Sequence, residues 1–107
     1  MITVTVSKNE NGVYNKICMK GHAEYADPGQ DIVCSAVSVL LINTANAIEQ
    51  FTDDHFVWTQ DEKKDLVELQ LPSQVSKEAE LLMKTLVLGL RGIEDSYGRE
   101  FIQVHDK

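Results

Sequence analysis

The chain has 107 residues, of which 43% are hydrophobic and 25% are charged, and its formal net charge is −7. This size predicts a single domain, residues 1–107, that buries a core without a metal or a disulfide. The acidic balance and the lack of a basic stripe argue against nucleic acid as a partner and favour a positively charged one.

The N-terminal stretch MITVTVSKNENG lacks the basic and apolar regions of a signal peptide. Polar residues interrupt each apolar stretch, so we expect no membrane-spanning segment. The protein is therefore expected in the cytoplasm, where Cys18 and Cys34 would be free thiols rather than a disulfide.

The first half of the chain predicts a β-hairpin followed by a long helix. Residues 2–8 alternate and are β-branched, as in a strand, and residues 13–20 form the returning strand after a turn at 9–12. Residues 23–30 are rich in turn formers and predict a loop. From residue 32 onward the apolar side chains recur at helical spacing. The predicted inner stripe of this helix comprises Val33, Val37, Leu40, Leu41, Thr44, Ile48 and Phe51.

The second half predicts a second hairpin, a second helix and a last strand. Strands at 56–60 and 66–71 flank the charged turn DEKKD, and residues 100–105 form the last strand. Ser76 is the predicted N-cap of the second helix and Gly98 its C′ residue. The predicted inner stripe of this helix comprises Ala79, Leu82, Met83, Leu86, Leu90, Ile93 and Tyr97. The order ββαββαβ predicts an α+β sandwich with two helices on a mostly antiparallel or mixed sheet.

Two leucines of the second helix, Leu81 and Leu88, lie off the inner stripe, and Gly89 and Gly92 permit close backbone approach. This wider apolar face is typical of either a deeply buried helix or a subunit interface. A homodimer is one expectation from this pattern.

Cys34 stands near the predicted start of the first helix. Asp31 is the predicted N-cap, which places Cys34 in the first turn, at N3. The positive end of the helix dipole stabilises a thiolate, the nucleophilic form of cysteine. Asp31, Cys34 and Ser38 share a mostly polar flank of the helix, within about 60° of one another. The spacing alone leaves open whether Cys34 is catalytic or a buried structural cysteine.

His22 is the matching candidate base. It follows Gly21 at a strand end, and the loop then returns the chain to the helix start, where imidazole and thiol would meet. His55 and His105 lie in charged contexts and are predicted to be solvated. Cys18 is about 13 Å from His22 along the strand and is predicted to be structural. Only His22, Cys34 and Asp31 converge, which is too few ligands for zinc, and no metal or cofactor is expected.

The segment GHAEYADPGQDIVCSAVSVL, residues 21–40, resembles the signature of the ribosomal-processing cysteine proteases, the Prp family. That signature has Gly-His-Ala, a short loop with a glycine, then Asp-Ile-Val-Cys and a helix of small residues. The length, the element order and the later stretch GLRGIEDSYG extend the resemblance over the whole chain. Ser35 departs from it, because alanine is usual there.

The resemblance implies a dyad of His22 and Cys34 in a cytoplasmic homodimer. It implies removal of the N-terminal extension of a large-subunit ribosomal protein, after a hydrophobic segment containing Phe. On this interpretation the Cys34 N–H meets the oxyanion and Asp31 orients His22 or caps the helix.

Three further residues are supporting candidates on the same interpretation. Ser38 touches the substrate, Gly21 precedes the base, and Gly29 permits motion of the loop.

Two other classes of function remain open from the sequence. One is a non-catalytic module that binds a ribosomal protein in the same groove. The other is a thiol redox protein, in which Cys18 would be the resolving thiol for Cys34.

Overall fold

The fold is a layer of two helices on one face of a five-stranded sheet. The structure, a computed structural model, describes residues 1–21 and 30–107, but not the side chains of residues 30 and 31. The elements in chain order are β1 (Ile2–Lys8), β2 (Tyr14–Lys20), α1 (Gln30–Phe51), β3 (Val57–Asp61), β4 (Leu66–Gln70), α2 (Lys77–Tyr97) and β5 (Ile102–Asp106).

The strand order is β3-β4-β2-β1-β5. The β1–β5 pair is parallel and the other three pairs are antiparallel, so the sheet is mixed. The predicted α+β architecture and the order ββαββαβ are confirmed. The last strand begins at Ile102 rather than at residue 100, because residues 99–101 form a turn in which the Phe101 N–H donates to the Gly98 carbonyl.

The core lies between β1, β2, β4, β5 and the two helices. Alternation along β1 buries Ile2, Val4 and Val6 on the face that the helices cover. The predicted inner stripes are largely confirmed, but Phe51 and Tyr97 are exposed. Each is the last residue of its helix, where the chain turns away into the next connection. The buried residues of the helices are Val33, Val37, Leu41, Thr44, Ala45, Ile48, Ala79, Met83, Leu86, Val87 and Leu90.

One helix contradicts the expectation that no segment is long and apolar enough to cross a membrane. Residues Ile32–Phe51 meet that criterion by length and composition, with a mean hydropathy of 1.6. The core helix of a globular domain meets the same criterion, and the Val33 and Val37 side chains of α1 are fully buried inside the fold.

Gly21 joins the end of β2 to two neighbouring segments. Its N–H donates to the Asp65 carbonyl at 2.9 Å, and its φ of +89° lies in the left-handed region. A Cβ at this position would stand 2.6 Å from the carbonyl oxygen of Met1, a backbone atom that cannot easily move. Glycine is therefore required here on two independent grounds.

Asp54 fastens the α1–β3 connection to the start of α2. Its Oδ2 accepts the Ser76 N–H at 2.8 Å, while Ser76 Oγ caps the helix by accepting the Ala79 N–H at 3.0 Å. Burial would raise the pKa of Asp54, but hydrogen bonds from the Ser76 hydroxyl and backbone outweigh it and hold this pKa below its usual value. The ionised carboxylate is thus the form that the fold stabilises.

We expect Gly21→Ala to lower the free energy of unfolding by about 2–3 kcal/mol, since it combines a strained φ with a steric clash. Gly12→Ala is the matched control, because Gly12 has a φ of +79° but no atom within 4 Å of an added Cβ. It should cost only about 1 kcal/mol. Urea denaturation of both variants measures the difference, and equal losses would contradict the role assigned to the Met1 contact.

We expect Asp54→Ala to cost about 1–2 kcal/mol of stability at neutral pH, because it leaves the Ser76 N–H without its acceptor. The folded-state pKa is depressed, so this contribution is present above the unfolded-state pKa of about 4 and is lost as the pH falls below it. The melting temperatures of wild type and Asp54→Ala, measured by thermal unfolding between about pH 7 and about pH 2.5, should converge in acid. Exposed Asp53→Ala is the control and should follow wild type throughout.

Candidate active site

A cavity of about 510 Å³ opens between the N-terminal half of α1, the end of β2 and the β3–β4 hairpin. This volume lies within the range of ligand-binding clefts. Its described lining residues are Met19, Gly21, Cys34, Ser38, Gln60, Asp61, Glu62, Asp65, Leu66 and Val67. The cavity therefore contains three of the residues that the sequence singled out: Gly21, Cys34 and Ser38.

Helix α1 places Cys34 and Ser38 side by side, because residues four apart lie one turn above each other on the same face. Both side chains are half-buried, and Cys34 also packs against the core. The predicted shared flank of these two residues is confirmed. The Cys34 side chain therefore contacts the core and also lines the cavity. This position is compatible with both alternatives left open by the sequence, a catalytic cysteine and a buried structural cysteine.

The start of α1 differs from the prediction. The helix begins at Gln30, so Asp31 lies inside its first turn rather than at the N-cap, and Cys34 is the fifth helical residue rather than N3. Only the first four N–H groups of a helix lack an intrahelical acceptor. With Gln30 in the helix, the Cys34 N–H stands where it can donate to the Gln30 carbonyl. The prediction that the Cys34 N–H meets the oxyanion stays a prediction.

The β3–β4 hairpin supplies the wall of the cavity that sequence reasoning missed. Gln60, Asp61, Glu62 and Asp65 line it, and Asp61 Oδ1 accepts the backbone N–H groups at the tip of the turn. The sequence showed only a charged turn far from Cys34 along the chain. The hairpin reaches the site because β4 pairs with β2, a contact that leaves no local sequence signal.

A narrower cleft of about 80 Å³ continues from the cavity along α1. It shares Met19, Ser38, Gln60 and Val67 with the larger space and adds Leu41, Ile42 and Trp58. The added side chains are apolar, and the Trp58 ring also packs against the core. The site thus has a polar part at Cys34 and an apolar extension beside it.

Cys18 lies on the opposite face of the sheet. Met19, its neighbour, points to the buried face and lines the cavity, so Cys18 points away, in a cross-strand row with Thr5 and Glu68. Burial, and second the Glu68 carboxylate, raise the pKa of the Cys18 thiol. Both cysteines are free, as predicted. With Cys18 and Cys34 on opposite faces, a direct disulfide between them would require the sheet to open.

Three predicted site residues cannot be located here. His22 and Gly29 lie outside the described residues, as does the side chain of Asp31. The described histidines stand elsewhere: His55 lines a separate space beside Pro72, and His105 is exposed on β5. In the parts of the chain that the structure covers, no three His, Cys, Asp or Glu side chains are grouped as metal ligands.

The chain is similar to known proteins both in sequence and in structure. A ribosomal processing cysteine protease Prp of Staphylococcus aureus is 31% identical over 97 residues, covering 91% of this chain and 92% of that protein. The Bacillus subtilis protein of the same description is 26% identical over 101 residues, covering 91% of this chain and 90% of that one.

Two crystal structures of the S. aureus Prp protease align with this chain over 100% of both chains. The structure with a substrate peptide gives a TM-score of 0.91 at 30% identity, and the structure with a covalently linked product peptide gives 0.86 at 31%. The family model for the cysteine protease Prp matches residues 1–103. The chain therefore belongs to the Prp family of cysteine proteases.

Proposed function

We propose that the protein is a ribosomal-processing endopeptidase in which Cys34 is the nucleophile and His22 the acid and base. Its substrate is a large-subunit ribosomal protein carrying an N-terminal extension. The observation that carries this proposal is the position of Cys34, on a helix flank that opens into a peptide-sized cavity with an apolar extension. The S. aureus structures with substrate and covalently linked product peptides support it.

The chemistry follows from a thiolate and an imidazolium. The Cys34 thiolate attacks the scissile carbonyl, and His22 protonates the leaving amine to give a thioester. Water, activated by His22, then hydrolyses the thioester. His22 is the residue after Gly21, and Gly21 lines the same cavity as Cys34, which supports this pairing.

The remaining site residues have supporting roles in this proposal. Ser38 lies one turn beyond Cys34, where the cavity meets the apolar cleft, and contacts the bound peptide. Asp31 orients His22 or stabilises the helix start, and Gly29 permits motion of the loop. The apolar cleft, with Trp58 on one side, receives a side chain of the hydrophobic segment that precedes the cleaved bond.

A ribosomal-protein substrate implies that the enzyme acts in the cytoplasm, which is part of the proposal. Its catalysis needs no metal or cofactor, and nucleic acid and membrane are not partners in it. The redox alternative is weakened because Cys18 and Cys34 face opposite sides of the sheet. Peptide cleavage distinguishes the binding-module alternative from catalysis, because a binding module leaves the bound peptide intact.

We expect Cys34→Ala to lower kcat/KM by at least about 10³-fold on a peptide that copies the ribosomal extension, and His22→Ala by about 10²–10⁴-fold. Cys18→Ser is the matched control and should cleave like wild type, since Cys18 lies across the sheet. Mass spectrometry of the products locates the bond. Binding of the peptide without cleavage by wild type would establish the binding-module alternative instead.

We propose further that the protein is a homodimer formed through the outer face of the helices. Leu81 and Leu88 are 64% and 73% exposed and stand seven residues apart, on one side of α2. Thr85 and Gly92 lie on the same side, and an added Cβ at Gly92 would meet no atom within 4 Å. Smaller residues alternating with exposed leucines along this side favour close packing of a second helix.

The double variant Leu81→Lys/Leu88→Lys should therefore sediment as a monomer where wild type sediments as a dimer. The control is Val57→Lys, which places the same charge on an exposed apolar position of β3, 62% exposed. It should leave the dimer intact. Sedimentation velocity over a range of concentrations measures the state, and a wild-type monomer at all of them would refute the proposal.

A further inference from the structure

Gln60 is a polar residue at the end of an apolar row on the inner face of the sheet. The strand registers continue this row from Gln60 through Val67, Met19 and Val4. The next row along the strands is apolar throughout and comprises Trp58, Leu69, Ile17 and Val6. Gln60 is exposed although it shares its face with Trp58, because α1 does not cover this corner of the sheet. The row therefore presents a carboxamide to the groove.

Gln60 stands where the two parts of the groove meet. It lines both the cavity and the narrow cleft, and Ser38 is the one other polar side chain among the described residues that lines both. Gln60 belongs to β3 and Ser38 to α1, so the two face each other across the groove. Within residues 1–21 and 30–107, neither of these side chains is used in a hydrogen bond of the fold. Both are therefore available to a bound molecule.

A peptide that enters the cleft loses water from its main-chain N–H and C=O groups and needs new partners for them. The strands beneath the cleft offer none, because β2 and β4 each pair with a strand on both sides. Most cleft side chains are apolar, and the Trp58 indole can only donate. A carboxamide both donates and accepts, so Gln60 can satisfy an N–H and a C=O together.

The spacing along α1 indicates which part of the peptide lies beside Gln60. Ser38 follows Cys34 by four residues, a rise of about 6 Å along a helix. An extended peptide rises about 3.3 Å per residue, so this distance corresponds to about two residues. The apolar cleft lies on the same side of Cys34 as Ser38. In the proposed function this side binds the hydrophobic segment that precedes the cleaved bond.

We propose that the Gln60 carboxamide binds the substrate main chain at the second residue before the cleaved bond. Its oxygen accepts the N–H of that residue and its NH₂ group donates to the C=O. One carboxamide reaches both groups because the N–H and C=O of one residue in an extended chain point to the same side. This inference rests on the proposed function, in which Cys34 attacks the peptide. Gln60 is thus a substrate-binding residue that sets the register of the peptide at Cys34.

The test compares a parent peptide with an analogue in which an ester oxygen replaces the N–H of that second residue. Wild type should cleave the analogue with a kcat/KM about tenfold lower, because one hydrogen bond is lost. Gln60→Ala should cleave the parent about tenfold less well than wild type does, but the ester should lower its kcat/KM by no more than about twofold. The same ester effect in both enzymes would overturn the inference.

Two further variants separate hydrogen bonding from packing and from general effects of substitution. Gln60→Met keeps the length of the side chain without its hydrogen-bonding groups, so it should lose as much activity as Gln60→Ala. Gln70→Ala removes an exposed glutamine of β4 that lines neither the cavity nor the cleft. It should cleave both peptides like wild type. Should Gln60→Ala fail to fold, Gln60→Met carries the same comparison of the two peptides.

The two proposals fail in distinguishable ways. If wild type does not cleave the parent peptide, the proposed protease function is wrong. If wild type and Gln60→Met cleave the parent at one rate, only the role of Gln60 is wrong. That second result would favour pairing of the substrate main chain with the free edge of β3, the outermost strand on this side of the sheet.

Discussion

The packing of α1 against one face of the sheet is the constraint on which the rest of the structure depends. Val33, Val37, Leu41 and Ile48 are almost fully buried, so the rotation of the helix about its axis has little freedom. Once that face is turned inward, the flank that carries Cys34 must stand beside the sheet. Cys34, the proposed nucleophile, is thus positioned by the core packing of its helix, to which its own side chain contributes.

The incomplete cover of the sheet turns this arrangement into a groove. Two helices lie over five strands, and the strand order puts β4 and β3 at one side, where α1 borders an open space. The inner-facing Trp58, Gln60 and Val67 consequently line a cleft instead of a closed core. A third helix over β3 would have filled it. Among residues 1–21 and 30–107, the site exists because the two helices leave part of one sheet face uncovered.

The hairpin turn and the end of β2 form a second fixed unit. Gly21 is held by the Asp65 carbonyl and has no room for a side chain, so the backbone at the end of β2 is fixed at this residue. The same hydrogen bond fixes Asp65 against the cavity. The positions of Gly21 at the end of β2 and of Asp65 in the hairpin turn are therefore coupled through one backbone contact.

The sequence by itself determined the seven elements, their order, the buried alternation of β1 and the shared flank of Cys34 and Ser38, because these follow from periods of two and 3.6 residues. Its family signature indicated a cysteine protease. The sequence prediction was wrong about the burial of Phe51 and Tyr97 and about the first residue of α1, because the ends of a helix depend on the tertiary contacts around them. Only the tertiary structure decided that the 61–65 turn walls the site and that Cys18 faces away. Those facts depend on strand pairing between distant segments, which no local pattern specifies.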